Sequence, residues 1–428
     1  MHKFLVLVFI ICSSNLFSQH IASSSTTLKV NGDAEVEGMS IERLDRISEM
    51  IKSEIASNHI PGAVALIARN GKVVYHEFFG VANEQGEKLQ KDAIFRIASQ
   101  TKAITSTAVM MLWEKGLFKL DDPISKYIPE FKNPQVLNRF TYRDTSYSTQ
   151  PASREITIRD LLSHQSGIGY GVIDGDERMR MIYEKAGITD LFTTDNISIQ
   201  ESVLKLARLP LHHNPGEKYT YSEGLDVLGY FIEIVSGQPF NQFLKEHIFD
   251  PLEMNDTRFY LPSSKSDRLV KVQHKIEEKW KNYPTTFYDP DYPTKGAKRF
   301  FSGGAGLSST ALDYAKFLQM YLNNGHYNEE RLLSRTTIET MMKNQIMDHW
   351  GSGGKHYGLA FGVVDSNGVG VGGIGGEGTF DWGGYFNTQY FADPKEKIIG
   401  ILMKQTQGGT GDQSGWKFRQ MVFAAVDD

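Results

Sequence analysis

The sequence predicts an α+β fold: one antiparallel sheet built from both chain ends, flanked by helices, with a mainly helical subdomain inserted at about residues 100–310. Two observations carry this. The chain opens on a helix followed by a hairpin pattern and closes on a hairpin followed by a helix. Between them, apolar residues recur at helical spacing, with no internal repeat and no linker that would separate independent domains.

Taken in order, Ile41, Leu44, Ile47, Ile51 and Ile55 line one face of an amphipathic helix, which Pro61-Gly62 ends. Ala63–Ala68 and Val73–Tyr75 read as strands joined at Asn70-Gly71, the residues a type I′ turn asks for. Ser99 opens a helical stretch to Trp113. The clearest helix of the middle runs from Glu223 to Ser236, with Leu225, Leu228, Ile232 and Val235 as its buried stripe and Gly237 and Pro239 as stop signals. Residues 264–300 carry Trp280, Tyr283, Phe287, Tyr288 and Tyr292 among prolines and polar residues, and predict a long surface loop over a site. Tyr385–Phe391 and Ile398–Met403 read as strands around an Asp393-Pro394 turn, and Trp416–Ala425 as the final helix.

The chain has 428 residues, 40% of them hydrophobic and 23% charged, an ordinary globular balance with ample length for a large core. The net charge is −5, and no basic cluster is interleaved with aromatics, which argues against nucleic acid as a partner. Residues 1–18 read as a secretory signal peptide: a short polar start at His2-Lys3, an apolar run Phe4–Cys12 too short to span a membrane, then Ser13, Ser14 and Ser18. Cleavage near Ser18-Gln19 predicts a secreted or periplasmic protein with no integral membrane segment. Cys12 is the single cysteine and leaves with the signal, so neither a disulfide nor a thiol nucleophile remains. Lipidation of Cys12 is the other reading, disfavoured by the bulky Ile11 before it. Residues 19–39 are polar and predict a flexible leader. Residues 40–428 form the folded domain.

Three stretches carry chemistry. In Ser99-Gln100-Thr101-Lys102, a serine at a helix start shares a face with a lysine one turn on. The first turn offers free backbone N–H groups and a positive dipole end. Together these make a serine nucleophile with a nitrogen base beside it. Tyr221 precedes the Leu225 helix and can present a hydroxyl to a cleft. A phenol near a lysine can take a proton and return it, although a packed surface tyrosine is the plainer reading. Trp382-Gly383-Gly384-Tyr385 puts two glycines at a strand, which implies close approach by a ligand or another backbone. An N–H at such an edge suits an oxyanion, and a simple bulge is the alternative.

Ser99-x-x-Lys102, Tyr221-Ser222 and Trp382-Gly383-Gly384 resemble, in order, the motifs of the serine β-lactamase and penicillin-binding-protein superfamily. The closest likeness is to its class C-like branch and to family VIII carboxylesterases. The stretches 156–170, 302–310 and 418–420 resemble that family's TI-x-x-LLTHTSGLGY segment, its SGGGGLVST segment and its closing helix, so the likeness covers about residues 40–428. It implies a β-lactamase/transpeptidase-like fold and a set of roles. Ser99 is the acylated nucleophile, Lys102 assists its deprotonation, and Tyr221 is general base and then acid. The backbone N–H groups of Ser99 and Tyr385 form the oxyanion hole. No metal or organic cofactor is expected.

Two departures matter. The family's β-lactamases carry Lys-Thr-Gly where this chain has Trp382-Gly383-Gly384, so the ammonium that would attract a β-lactam carboxylate is missing. They carry asparagine two residues after the tyrosine, where this chain has Glu223. Glu223 either pairs with Lys102 or faces solvent as an ordinary first-turn glutamate, and the second is the expected placement.

Other signals have plainer readings. Gly368, Gly370 and Gly373 fit a G-x-G-x-x-G pattern without a following helix. His212-His213 reads as a surface pair, and His164 as support for its loop. The sequence as a whole reads as an exported serine hydrolase that forms an acyl-enzyme on small carboxylic esters, with Trp382, Gly383, Gly384 and Glu223 lining the substrate site. The alternatives are a class C-like β-lactamase or D-alanyl-D-alanine carboxypeptidase, and a non-catalytic binder of peptidoglycan fragments.

Overall fold

The computed structural model describes residues 27–347, 353–408 and 411–428. Residues 1–18, read as a signal peptide, with Cys12 among them, and residues 19–26 lie outside that range. Seven strands form the main antiparallel sheet: β1 (Gly62–Arg69), β2 (Lys72–Gly80), β3 (Lys355–Tyr357), β4 (Gly362–Val364), β5 (Phe380–Gly383), β6 (Gln389–Asp393) and β7 (Ile398–Met403). Their order is β3-β4-β5-β6-β7-β1-β2, so the two chain ends meet where β1 pairs with β7 in the register Val64–Met403 to Arg69–Ile398.

β1 is buried throughout, and apolar up to its last residue Arg69, because both faces of the sheet are covered. Ala63, Ala65 and Ile67 pack on helices α1 (Ile41–Ala56) and α5 (Ser414–Ala424) through Ile47, Ile51, Phe418 and Val422. Val64, Leu66 and Ala68 face the larger core with Phe317 of α4 (Ala311–Leu322). The period of two along one strand therefore sorts residues between two cores. Asn70 and Gly71 have φ of 52° and 76°, as the type I′ turn requires.

The inserted segment centres on α2 (Thr101–Glu114), buried on nearly every side, and α3 (Gly224–Ser236), which packs on it. It is less purely helical than expected. A hairpin, Gln135–Thr141 with Ser146–Pro151, projects from it.

Two further expectations are corrected. Residues 28–39, read as part of a flexible leader, run along the β1–β2 end of the sheet. Lys29 N–H donates to Gly71 O at 2.9 Å, Gly32 N–H to Val73 O at 2.9 Å, and Met39 is buried. Polar composition hid this, because the strip is held by backbone bonds and only a few apolar anchors. The 264–300 segment is not a plain loop. Gln273–Ile276 pairs in parallel with Thr406–Gln407, and Tyr288 and Tyr292 are buried. The fully buried Arg96 fastens it, donating to Pro290 O at 2.6 Å and Val270 O at 2.7 Å.

Candidate active site

Ser99 lies in a single tight turn, Ala98–Gln100, that runs into α2. Ala98 sits at φ 43°, a conformation that costs a non-glycine residue about 1–3 kcal/mol and that recurs where function over-determines the backbone. Ser99 is half-buried while Lys102, one turn on, is fully buried. Lys102 Nζ donates to Ser99 Oγ at 3.3 Å, to the Tyr170 hydroxyl at 2.8 Å and to Gly304 O at 2.8 Å. An ammonium has three protons and here meets three acceptors. Asp226 of α3 approaches from below. Burial raises its carboxyl above the usual range, while its bond with Ser302 and the Lys102 charge oppose the rise. Gly304 leaves Asp226 its place, since a Cβ there would stand 2.6 Å from Asp226 Oδ2 and the carboxyl would have to shift.

Tyr221 comes to the same place from the start of α3. Lys102 Nζ lies 4.6 Å from the Tyr221 ring centre, and Trp382 Nε1 donates to the Tyr221 hydroxyl at 3.4 Å. The indole thus addresses the tyrosine as well as the cleft. His164 forms the floor, its ring 4.6 Å from that of Tyr221. Its Nδ1 receives the Ser222 N–H at 3.2 Å and lies 2.9 Å from Ser222 Oγ. Burial and the Lys102 charge hold its pKa well below the ordinary value, so it is a neutral acceptor. This agrees with its expected supporting role, and its contacts reach Tyr221 directly.

Trp382 and Gly383 end β5, and Gly384-Tyr385 turn toward β6. The strand expected at Tyr385 begins only at Gln389, because residues 384–388 close a turn with Gly384 N–H on Thr388 O at 2.7 Å. A Cβ at Gly384 would collide with Thr388 Oγ1 and lie 2.5 Å from Ile97 O. Glycine therefore lets this turn press against the segment carrying Ser99, and Tyr385 follows it. Gly384→Ala is expected to push the two segments apart and lower kcat/KM by about 10–100-fold, as misplacement of a reacting group does. Steady-state kinetics with a melting curve check it.

Ser99, Lys102, Tyr221, Trp382, Gly383, Gly384 and Tyr385 are thus gathered at one place, the head of α2. Glu223 is not where it was expected. It is 3% exposed and bonds to Asp190 instead of Lys102 or solvent. The hydroxyl of Tyr170 stands at the lysine instead. Sequence reasoning does not single out Tyr170, Asp190 or Asp226 as site residues; Tyr170 closes the 156–170 stretch, which is its one signal. His212 and His213 are not a surface pair either. His212 Nε2 meets Asp174 Oδ2 at 3.0 Å, and His213 Nε2 meets Thr220 Oγ1 at 2.8 Å. No cluster of three or more metal-ligating side chains occurs among the described residues. No helix among them is long and apolar enough to cross a membrane.

Residues 47–422 match the family described as Beta-lactamase. Protein Rv1367c of Mycobacterium tuberculosis (strain ATCC 25618 / H37Rv) is 31% identical over 377 residues, covering 85% of this chain and 90% of its own. Esterase EstB of Burkholderia gladioli is 27% identical over 383 residues, covering 84% and 90%. Among solved structures, EstCE1, described as a hydrolase with promiscuous acyltransferase activity, superposes with a TM-score of 0.74 at 25% identity, covering 90% of this chain and 98% of its own.

Proposed function

The chain belongs to the Beta-lactamase family and is a serine hydrolase of its esterase-like branch, and on that premise we propose that it is an exported carboxylesterase that hydrolyses small neutral esters through an acyl-enzyme on Ser99. The observation that carries the substrate class is Trp382, whose indole borders the cleft where a β-lactamase of this branch presents an ammonium.

The roles follow from the contacts. Ser99 Oγ attacks the ester carbonyl carbon, and its proton passes to Tyr221, which enters the step as the phenolate and leaves it as the phenol. The Lys102 ammonium, 3.3 Å from Ser99 Oγ, stabilises negative charge as it develops on that atom, and the Trp382 N–H, 3.4 Å from the Tyr221 oxygen, stabilises the charge the phenolate carries before it takes the proton. The N–H groups of Ser99 and Tyr385 receive the carbonyl oxyanion. Collapse expels the alcohol, which takes the proton back from Tyr221. Water then repeats the sequence on the acyl-enzyme, with Tyr221 again accepting and returning a proton.

Lys295, Lys298 and Arg299 of the 264–300 segment are the cations that could serve a carboxylate instead, and two of these three, like Lys355 and Arg419 at β5, are held by other groups. Lys355 and Arg419 both reach Asp381 at 2.5 Å, Lys295 pairs with Asp291 at 3.0 Å, and Arg299 donates to Asn196 at 2.7 Å. A β-lactam carboxylate would lose a charge-assisted contact worth about 1.5–3 kcal/mol, roughly a ten- to hundredfold handicap. A neutral ester loses nothing and gains contact with the indole. kcat/KM for p-nitrophenyl butyrate is therefore expected to exceed that for nitrocefin on the same preparation by at least about tenfold. A preference for nitrocefin would instead select the penicillin-recognising alternative. Absence of both activities and of fluorophosphonate labelling would select the binding protein. Export rests on residues 1–18, and cell fractionation tests it.

A further inference from the structure

Glu223 stands two residues after Tyr221, where the family's β-lactamases keep an asparagine, yet it is buried. Its carboxyl hydrogen-bonds to that of Asp190, itself 8% exposed. Two carboxyls in such contact need a proton between them. Consistent with that need, Glu223 Oε1 and Asp190 Oδ1 are buried without any donor from elsewhere in the protein.

The pair grips one short stretch of chain. Asp190 Oδ2 accepts the Val172 N–H at 2.6 Å. Glu223 N–H donates to Gly169 O at 3.1 Å, and Asp174 Oδ2 accepts the Tyr170 N–H at 2.7 Å. Residues 169–172 are thereby fixed on both sides of Tyr170, whose hydroxyl lies 2.8 Å from Lys102 Nζ. We propose that the proton-sharing Glu223–Asp190 pair is a positioning device that holds Tyr170 at Lys102, and that loss of the shared proton releases it.

The surroundings favour one proton held in common. Asp226 of α3 faces both members, and Asp174, which also receives His212, lies on the same loop. The phenols of Tyr170, Tyr183 and Tyr385 face the pair, and the Lys102 charge lies beyond Asp226. Burial, with the neighbouring Asp190 and Asp226 charges, raises Glu223 well above the carboxylate range, and burial brings Asp190 to about 6. Asp190 also borders a cleft of about 730 Å³, lined as well by Glu177, Arg180, Glu184 and Asp195, through which the proton can exchange with solvent. Since the folded state raises these groups, the grip is present at low and neutral pH and is lost as pH rises through the pair's ionisation.

This inference rests on the assignment of Ser99 as the labelled nucleophile, so its test reads both. The second-order rate of fluorophosphonate labelling is followed from about pH 5 to about pH 10 for the wild type, Glu223→Gln and Asp190→Asn. An amide keeps a donor in the pair that does not titrate. Both variants are expected to stay within about threefold of wild type at neutral pH and to move the alkaline decline up by at least about one pH unit. If one variant fails to fold, the other decides. An alkaline decline unmoved in a folded variant, or its absence from the wild type, overturns the role of the pair. No labelling of the wild type at any pH overturns the Ser99 assignment itself.

Discussion

Ser99→Ala is expected to abolish acyl transfer and leave the fold intact. The substitution removes one oxygen from a half-buried position at the head of α2. With that oxygen goes the 3.3 Å bond that Lys102 donates to it. Lys102 keeps its two shorter bonds, to Tyr170 and to Gly304 O, so no buried charge is stranded. The Ala98–Gln100 turn is set by backbone bonds that alanine preserves. Loss of a serine nucleophile that works with its partners as a unit costs about 10⁴–10⁶ in turnover. The measurement is ester hydrolysis and fluorophosphonate labelling of purified protein beside a melting curve. Activity within about tenfold of wild type, with the melt unchanged, would remove Ser99 from the mechanism.

Tyr221→Phe is expected to lower turnover by about 10²–10⁴, the usual worth of a positioned acid–base group. The ring packs between His164 at 4.6 Å, Tyr170 at 5.4 Å and Trp382 at 5.9 Å, and phenylalanine fills the same space. What disappears is the oxygen that receives the Trp382 N–H and carries the proton. Because the same oxygen serves both half-reactions, acylation and deacylation should slow together, and rapid-quench measurement with p-nitrophenyl butyrate separates them. Near-normal turnover would move the base role to Lys102. A stable acyl-enzyme with normal acylation would confine Tyr221 to the second step.

The sheet was legible because its signals are local. Asn70-Gly71 dictates a turn, and β1 and β7 are apolar runs that only a strand buried on both faces explains. The gathering of Ser99, Lys102, Tyr221 and Trp382 was legible as an ordered set of motifs, although residues 99 and 382 meet only through the fold. Asp226 had no such signal and Tyr170 only its place at the end of the 156–170 stretch, because what makes them matter is the position of Lys102, set by a different segment. Glu223 shows the limit most clearly. An acidic residue at the start of a helix looks the same whether the end faces water or a neighbour. Its burial is decided by residues 169–172 and by Asp190, and no spacing along α3 announces them. Arg96 hid the order of the 264–300 segment in the same way, by bonding to carbonyls nearly two hundred residues away.

The pairing of β1 with β7 also governs when this chain can fold. The β1–β2 hairpin is synthesised first, and its inner strand is an apolar edge whose backbone partner does not yet exist. Contacts such as Arg69 to Asp428 close a loop of 359 residues. Such long closures make folding slow and put the sheet's completion at the end of synthesis. A nascent chain that stops short of Ile398 has no native partial state to rest in. It presents Gly62–Arg69 as an unpaired edge, and its fate is capture by a chaperone or association with another such edge.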